Sequence, residues 1–354
     1  KNIIKKYFKK IKLSYLNSEI PSLLEFSALK SISFQECKNV KSLNKLPKNI
    51  EKIKLIDLRI ETLDLSELSK LKTVTINDCP NIESLDGLPK NIEEVKLIDL
   101  PIKTLDLSEF PKLKAITVDQ CSNIRSLHRL PKSIEEIDIS SLSIATLNLS
   151  EFPKLRKLTI DTCSNIKSLH ELPKNIEKID ISSLSIEAFN LSEFPKLKKL
   201  TIHDCPNIKS LDGSSKNIEE MNLIYLDIII PDVSKFPKLK TLYISECLNI
   251  KKLRKSSTSI ESFSILESTI ETLDISGFSG LKALLLTGCD SLNSIIIPES
   301  FPDEQRKQLE NEYPGIVQFK KEYLDKLQKK LEQVNHFSFP DNEIEKWYDE
   351  DNPK

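Results

Sequence analysis

Glycine, methionine and tryptophan are scarce in this chain of 354 residues, which contains six glycines, one methionine and one tryptophan. With so few glycines, the chain has little room for loops that cradle a phosphate on backbone N–H groups. The patterns GxGxxG, GxxxxGK and GxSxG are all missing. The sequence therefore gives no support to a nucleotide-binding protein or a serine hydrolase.

Long hydrophobic runs and a dominant charge are also missing. No stretch approaches the roughly 20 consecutive apolar residues that a membrane-spanning helix needs, and the segment from Lys1 to Leu13 is too charged to be the apolar region of a signal peptide. The 52 basic and 53 acidic residues leave a net charge of −1. Because no global field attracts nucleic acid or anionic lipid, we expect neither as a partner.

The cysteines show the organisation of the chain, because all seven are spaced 42 residues apart. They are Cys37, Cys79, Cys121, Cys163, Cys205, Cys247 and Cys289. Phenylalanines follow the same period at Phe110, Phe152, Phe194, Phe236 and Phe278. A fixed period of this length is the signature of an internal repeat.

Each 42-residue period splits into two halves of 21 residues that share the spacing LxxLxLxx. One half runs from Ile134 through Ile137 and Ile139, and the next from Leu155 through Leu158 and Ile160. We number positions within each half from the first apolar residue, so Ile134 and Leu155 occupy position 1. Positions 4 and 6 are apolar and alternate with polar residues, which predicts a short strand with one buried face.

This pattern resembles the leucine-rich repeat family, and the resemblance runs from Phe8 to about Phe301, or fourteen repeats. The half-repeats "LPKxIExI" and "FPKLKxLxIxxCxNIxSL" look most like those of effector-type bacterial proteins and plant immune receptors. The resemblance implies an α/β solenoid, a horseshoe or arc with a parallel β-sheet on its concave face and a helical C-terminal cap. We expect a lead-in over residues 1–7, the solenoid over 8–301, the cap over 302–335 and an acidic aromatic tail over 336–354.

The cysteines are expected to be buried, unpaired thiols just after each strand. Equivalent cysteines two coils apart should lie about 10 Å from one another, whereas a disulfide needs Cα atoms within roughly 7 Å. The same spacing argues against a ladder of metal sites. Seven free thiols indicate a reducing compartment, either a cytoplasm or the host cytoplasm into which a bacterium secretes the protein.

Position 2 alternates in charge from repeat to repeat, as in Glu93, Lys114, Glu135 and Arg156. Opposite charges should therefore lie on neighbouring coils throughout the stack. Each exposed pair is worth only about 0 to 1 kcal/mol, but a slip by one coil would place like charges together along the whole stack. We interpret this alternation as a device that fixes the register.

The chain offers no catalytic or metal-binding constellation. His128 and His170 share one repeat position, His203 falls on a strand and His336 lies in the tail, and none has a cysteine or a second histidine at ligand spacing. No cysteine follows Cys289, as the cysteine-dependent ubiquitin-ligase domain of some secreted bacterial relatives would require. We therefore expect a protein that is not an enzyme and has no cofactor.

In the leucine-rich repeat family, positions 3, 5, 7 and 8 line the concave face, so we carry those positions over repeat by repeat. The face begins with lysines, becomes rich in aspartate and threonine in the middle, and ends with apolar residues. The candidate partner-binding residues are Asp119, Asp161, Thr201, His203, Asp204, Ile224, Tyr225, Tyr243, Glu246, Leu266 and Leu285. The polar middle of this face has the composition of a solvated sheet that binds no partner, which is one alternative. For the apolar end of the face, the alternative is that the chain's own tail covers it.

The C-terminal part shows two helix signals. Ser300, Pro302 and Asp303 predict a helix start, and Pro314–Gly315 predicts its end. Residues 316–319 fit one more strand, and the apolar face from Tyr323 to Val334 predicts a second helix that covers the end of the core. Trp347 lies in an acidic segment that either packs on the solenoid or binds a partner.

The sequence thus predicts a monomeric, non-enzymatic scaffold that captures another protein on its concave face, as a bacterial effector or a regulator of one. The alternative is a substrate-recognition subunit or adaptor for a separate enzyme, such as a ubiquitin ligase complex, that acts through the C-terminal tail.

Overall fold

The computed structural model describes residues 7–127, 129–169, 171–187, 189–229, 232–250, 252–254 and 259–335. The chain divides into two compact units, Lys1–Ile208 and Lys209–Lys354, here called the N-terminal and C-terminal units. No helix in the described ranges is long and apolar enough to cross a membrane. His128, His170, His336 and the predicted tail with Trp347 lie outside the described residues.

The N-terminal unit is a stack of 21-residue coils, each contributing one five-residue strand from positions 3 to 7. Its described main strands are Lys10–Ser14, Ser31–Gln35, Lys52–Ile56, Thr73–Asn77, Glu94–Ile98, Ala115–Asp119, Glu136–Ser140, Lys157–Asp161, Lys178–Ser182 and Lys199–His203. Each strand pairs in parallel with the next, so that equivalent positions lie side by side, as Ile137 beside Leu158. The predicted register is therefore confirmed.

The alternation of apolar and polar residues forms these strands because one face of the sheet is buried and the other is not. Ile137, Ile139, Leu158 and Ile160, at positions 4 and 6, are at most 1% exposed. A single coil cannot bury its own apolar face, so neighbouring coils supply the cover for one another. The core is consequently a continuous column of aliphatic side chains running behind the strands.

Each described main strand of the two units is followed by a left-handed residue, which the sequence did not predict. The residue at position 8 has a positive φ between 47° and 56° in thirteen non-glycine residues, from Tyr15 to Glu267, and Gly288 takes the same place with φ 63°. Its N–H continues the ladder by donating to the carbonyl of the neighbouring strand, as Asp57 N–H does to Asn77 O at 3.0 Å. The left-handed conformation turns the chain sharply at the end of the strand.

All seven cysteines are buried and unpaired at position 9, as predicted. The Cys37 thiol donates to the carbonyl oxygens of Gln35 at 3.3 Å and Leu13 at 3.5 Å, and the Cys247 thiol lies 3.4 Å from Ser245 O. Burial raises the pKa of the Cys79 and Cys205 thiols to about 11. Each cysteine therefore fills the turn after a strand as a small apolar residue with a weak donor.

The alternating charges at position 2 form ion pairs between neighbouring coils. Glu177 bonds Arg156 at 2.5 Å on one side and Lys198 at 2.7 Å on the other, and Lys282 bonds Glu261 at 2.7 Å. Lys72 and Glu93 are 3.0 Å apart. The prediction that opposite charges lie on neighbouring coils is confirmed. Because these groups are largely exposed, the pairs favour one register more than they add stability.

The C-terminal unit continues the 21-residue spacing with the main strands Glu220–Ile224, Thr241–Ser245, Ser262–Leu266 and Ala283–Thr287. It also has a second parallel sheet, made of Lys252–Arg254, Thr272–Asp274, Ser294–Ile297 and Val317–Phe319 in that order. Shorter described elements in the two units are the strands Phe189–Asn190 and Leu211–Asp212 and the 3-10 turns Leu191–Glu193 and Val233–Lys235. The second sheet was not predicted.

Two helices, Asp303–Glu312 and Lys320–Asn335, end the described part of the C-terminal unit. The first begins where predicted, with Pro302 at the N-cap and no side-chain cap bond. The Ser300 hydroxyl donates to Ser279 O at 3.0 Å. The predicted last strand is present as Val317–Phe319, but it pairs with Ser294–Ile297 in the second sheet.

The second helix, Lys320–Asn335, packs against the last two strands of the second sheet. Lys326 Nζ donates to Gln318 Oε1 at 2.9 Å, and Gln318 Nε2 donates to Ser294 Oγ at 3.2 Å. Arg306 of the first helix lies over the Phe319 ring, 4.1 Å from its centroid. The part of the predicted apolar face formed by Leu331 and Val334 lies outside the described side chains.

Candidate protein-binding surface

The outward side chains of each main strand stand at positions 3, 5 and 7, and position 8 follows at the turn. In each unit these positions form a strip of neighbouring side chains about 4.8 Å apart from strand to strand, here called the strand face. Its chemistry changes along the sequence, so we describe the strand face of each unit separately.

The strand face of the N-terminal unit begins with basic residues. Lys10, Lys12, Lys52 and Lys54 are exposed, as expected. Thr75 is different, because it is only 7% exposed although position 5 points outward. It stands in register between Lys54 and Lys96, whose long side chains flank the shorter threonine. A residue at position 5 can therefore be buried by its neighbours even though it belongs to the outward face.

The middle of this face carries the predicted aspartates. Asp119 and Asp161 stand at position 7 on alternate strands, separated by Ser140, whose hydroxyl lies 3.4 Å from Asp161 Oδ2. Both carboxylates are half-buried, and neither forms a salt bridge with any residue in the described ranges. Together with Asp138 on the strand between them, they place carboxylates on three consecutive strands, here called the acidic strip.

Asp138 stands at position 5 within the same strip. Burial raises the pKa of its carboxyl, the nearby Asp119 and Asp180 carboxylates raise it further, and Lys157 and Lys96 oppose the shift. Asp180 lies two strands away in register, with Thr159 between. The shift is therefore chiefly a cost of burial, because the two lysines oppose it by more than the two aspartates add to it.

The strip ends in the last strand of the unit. Thr201 and His203 are half-buried and Asp204, at position 8, is exposed. The His203 ring nitrogen Nδ1 lies 3.1 Å from the Ser182 hydroxyl, and the Ser183 hydroxyl donates towards Asp204 Oδ2 at 3.4 Å. These three predicted residues therefore lie on one strand and its following turn, and His203 and Asp204 form hydrogen bonds to the neighbouring coil.

The strand face of the C-terminal unit is apolar in the same positions. Tyr243 and Leu285 stand at position 5 on alternate strands with Ser264 between, and Ile224 and Leu266 stand at position 7 with Ser245 between. Leu285 is 51% exposed, and the other three are half-buried. Because the serines between them are small, the larger side chains project beyond them from the sheet.

Tyr225 extends this group at position 8. It is 51% exposed and holds the left-handed conformation with φ 52°. This conformation is uncommon for a bulky residue, and most equivalent positions carry Asp, Glu or Ser, of which Asp tolerates it more easily. Because the other described coils repeat this conformation at position 8, it follows from the repeat, and what is particular to Tyr225 in the C-terminal unit is its exposed aromatic ring. Glu246, the next residue at position 8, is half-buried.

Two exposed apolar residues were missed by the sequence analysis. Leu248 is 62% exposed at position 10, and Ile229 is 75% exposed at position 12. The signal was present, because most other coils carry proline, serine or a charged residue at position 10. Leu248 follows the strand that bears Tyr243, so the apolar surface extends past the strand ends.

The exposed large apolar side chains of the described residues fall into two groups. Tyr7, Phe8, Tyr15 and Leu24 belong to the first coils, and Tyr225, Ile229, Leu248 and Leu285 belong to the C-terminal unit. None lies between Leu24 and Tyr225 in the described part of the chain. Because most coils expose no large apolar residue, the second group is not a property of the repeat itself.

The described residues hold no group of three or more histidine, cysteine or carboxylate side chains that could bind a metal ion. The thiols are also poor nucleophiles, since burial raises the pKa of Cys121, Cys163, Cys247 and Cys289 as well.

No family model matches the chain, and neither does any curated protein. Among solved structures, the chain is similar to the internalin inlF of Listeria monocytogenes str. 4b F2365, with a TM-score of 0.52 and 13% identity over 85% of this chain and 84% of that one. It is similar to CroV588, a circular leucine-rich repeat protein, with a TM-score of 0.50 and 11% identity over 83% and 55% of the two chains. YopM, a leucine-rich effector protein from Yersinia pestis, gives a TM-score of 0.47 and 20% identity over 74% and 78%.

The coil geometry and the similarity to the internalin define the fold class. The chain has the leucine-rich repeat fold, a parallel-sheet solenoid of about fourteen turns with 21-residue spacing. The resemblance seen in the sequence is confirmed at the level of the fold.

Proposed function

We propose that this protein is a non-enzymatic scaffold that binds a protein partner on the strand face of its C-terminal unit. The observation that carries the proposal is the apolar group made by Tyr225, Tyr243, Leu266 and Leu285. Exposed apolar surface with tyrosine is typical of the centre of protein interfaces, where it is desolvated on binding. Ile224 completes the group at position 7.

The acidic strip of the N-terminal unit, centred on Asp119, Asp138 and Asp161, has a different role in this proposal. Exposed charges contribute more to the rate and selectivity of encounter than to final affinity. A partner with a basic surface would be attracted by this strip. Thr201, His203, Asp204 and Glu246 contribute polar contacts.

The protein acts without a cofactor, as a monomer in a reducing compartment. The similarity of its half-repeats to those of effector-type bacterial proteins supports a role as a secreted effector, or as a regulator of one, in a host cytoplasm. The buried, unpaired thiols are compatible with that environment, where disulfides do not persist.

Site-specific photo-crosslinking tests where the partner docks. A photoreactive phenylalanine analogue at position 225 should trap the partner, because this side chain stands at the edge of the apolar group. The matched control places the same analogue at Lys235, an exposed residue of the 3-10 turn Val233–Lys235 in the same unit. Crosslinks from position 235 and none from position 225 would show that the partner binds elsewhere on the coil.

A further inference from the structure

A basic groove in the N-terminal unit lies outside the strand face and has no role in the proposal above. It has a volume of about 790 Å³ and is formed by two successive coils. The first coil contributes Lys103, Thr104 and Asp106, and the next contributes Arg125, Ser126 and Arg129. All six are exposed, so their polar ends are open to a ligand.

The charges of this groove are only partly compensated. Arg129 Nη1 donates to Asp106 Oδ2 at 2.7 Å. Asp106 also accepts bonds from the Ser108 N–H at 3.1 Å and the Ser108 hydroxyl at 2.7 Å, and these bonds with Arg129 lower the pKa of its carboxyl to about 2. Lys103 and Arg125 form no salt bridge within the described residues. The groove therefore contains three cations and one anion, Asp106, whose two carboxylate oxygens already accept these hydrogen bonds.

The groove is not a consequence of the repeat, since the equivalent positions one 42-residue period away differ. In the preceding period the three cations are replaced by Glu61, Glu83 and Gly87. In the following period they are replaced by Ala145, Lys167 and Glu171. The backbone positions recur along the chain, whereas the cluster of three cations occurs at this place and not in the neighbouring periods.

We propose that this groove binds a phosphoryl group. A phosphate monoester carries between one and two negative charges at neutral pH and three acceptor oxygens, which matches two uncompensated cations and the hydroxyl donors of Thr104 and Ser126. The guanidinium of Arg125 suits this ligand because its planar fork can bond two oxygens at once. A single carboxylate, with one charge and two oxygens, would leave part of this donor set unused.

The phosphoryl group has two possible sources, a free phosphate ion or a phosphorylated side chain of a partner. Isothermal titration at low salt with inorganic phosphate, with the peptide Gly-Gly-phosphoSer-Gly-Gly and with its unphosphorylated form distinguishes them. Equal affinity for phosphate and phosphopeptide assigns the free ion, and tighter binding of the phosphopeptide assigns the phosphorylated side chain. The unphosphorylated peptide should not bind.

The matched variants are Arg125→Glu and Lys167→Glu, which make the same change of charge at equivalent positions of neighbouring periods. Arg125→Glu should weaken binding at least 10-fold, and Lys167→Glu should change it less than 2-fold. Both residues are exposed, so circular dichroism should show an intact fold in each variant. An equal loss in the two variants, or no binding by the unmodified protein, overturns the proposal.

Asp106→Asn supplies a test with the opposite sign. The variant removes the one anion and frees Arg129, so phosphate binding should strengthen about 3-fold or more. The protein itself shows that asparagine fits this turn, because Asn148 occupies the equivalent place and accepts from Ser150 N–H at 3.1 Å and from the Ser150 hydroxyl at 2.7 Å. Weaker binding by Asp106→Asn would contradict the assigned electrostatics.

Discussion

The strand faces of the two units share a backbone plan and differ in chemistry. Position 5 carries Thr159 and Asp180 in the N-terminal unit, but Tyr243 and Leu285 in the C-terminal unit. Behind both faces the core is the same, with positions 4 and 6 fully covered in nearly every described strand. The repeat therefore fixes the geometry of the core, while the outward positions vary within the same fold.

This difference separates two contributions to binding. Charged side chains act at a distance and are screened by salt, so an acidic strip mainly affects how fast a partner arrives. Apolar and aromatic side chains act only in contact, so they determine how long the partner stays. The variants below remove one contribution at a time, or remove the fold on which both depend.

The largest effect is expected from truncation after Gly315. This removes the strand Val317–Phe319 and the helix Lys320–Asn335, and so uncovers Ile295 and Ile296, which are now fully buried. An open strand edge beside apolar residues promotes aggregation. Size-exclusion chromatography with light scattering should show loss of the monomer. Truncation after Asn335 is the control that keeps both elements, and an equally stable protein in both cases would contradict the capping role.

The thiols should react alike in the two units, because the difference is confined to the strand face. At pH 8 the raised pKa of Cys205, about 11 against an ordinary value of 9.0, lowers its thiolate fraction by about 100-fold. Labelling of native protein with a thiol reagent should be slow for Cys205 and Cys247 and complete after denaturation. Rapid labelling of several cysteines in the native protein would show that their burial is wrong.

Tyr225→Ala and Tyr243→Ala should each weaken partner binding about 30-fold, which corresponds to about 2 kcal/mol, mostly through faster dissociation. The control is Gln120→Ala, at the position of Tyr225 five coils earlier, and we expect less than a 3-fold change. Surface plasmon resonance with the partner identified by crosslinking measures the association and dissociation rates. Unchanged dissociation in both tyrosine variants would remove the C-terminal strand face from the interface.

The double variant Asp119→Lys with Asp161→Lys should slow association about 10-fold at low salt and leave dissociation nearly unchanged. Raising the ionic strength should abolish the difference, since exposed charges separated by more than about 8 to 10 Å are screened at physiological salt. Stopped-flow association rates across a salt series provide the measurement. A loss of affinity that persists at high salt would make the acidic strip a contact surface.

The smallest effect concerns stability. Because burial raises the folded-state pKa of Asp138, its ionised form is disfavoured in the native protein, and Asp138→Asn should stabilise the fold at neutral pH by less than about 1 kcal/mol. The gain should be present above the raised folded pKa and should fade as the pH falls through that pKa towards the ordinary value of 3.8. Thermal melts across this range measure it. A gain in stability that grows as the pH falls would contradict this prediction.

Most of the fold could be predicted from the sequence because the information is local and repeated. The spacing of Ile137 and Ile139, and of the equivalent residues in the other coils, defined the strands and their parallel register. The seven cysteines were placed correctly, since a 42-residue period leaves them too far apart to pair. The second sheet was missed because Ser294–Ile297 is a short apolar run whose partner, Val317–Phe319, lies across a helix.

The candidate surface was predicted by position but not in its details. The repeat identified Tyr225, Tyr243 and Leu285 as outward residues, and the structure places them on one strand face. The repeat pattern did not reveal that position 8 is left-handed, because residues such as Asp, Glu, Ser and Tyr occupy this position and only one coil, at Gly288, has a glycine there.

The sequence by itself determined the 21-residue coil, the buried positions and the order of charges along the stack, because each coil obeys one rule of polarity. Only the tertiary structure decided what lies beside what. It buried Thr75 between two lysines, raised the pKa of Asp138 by burial within the sheet, and brought Lys103 together with Arg125 and Arg129 in one groove. Such properties depend on side chains about 21 residues or more apart, which meet only when the coils stack.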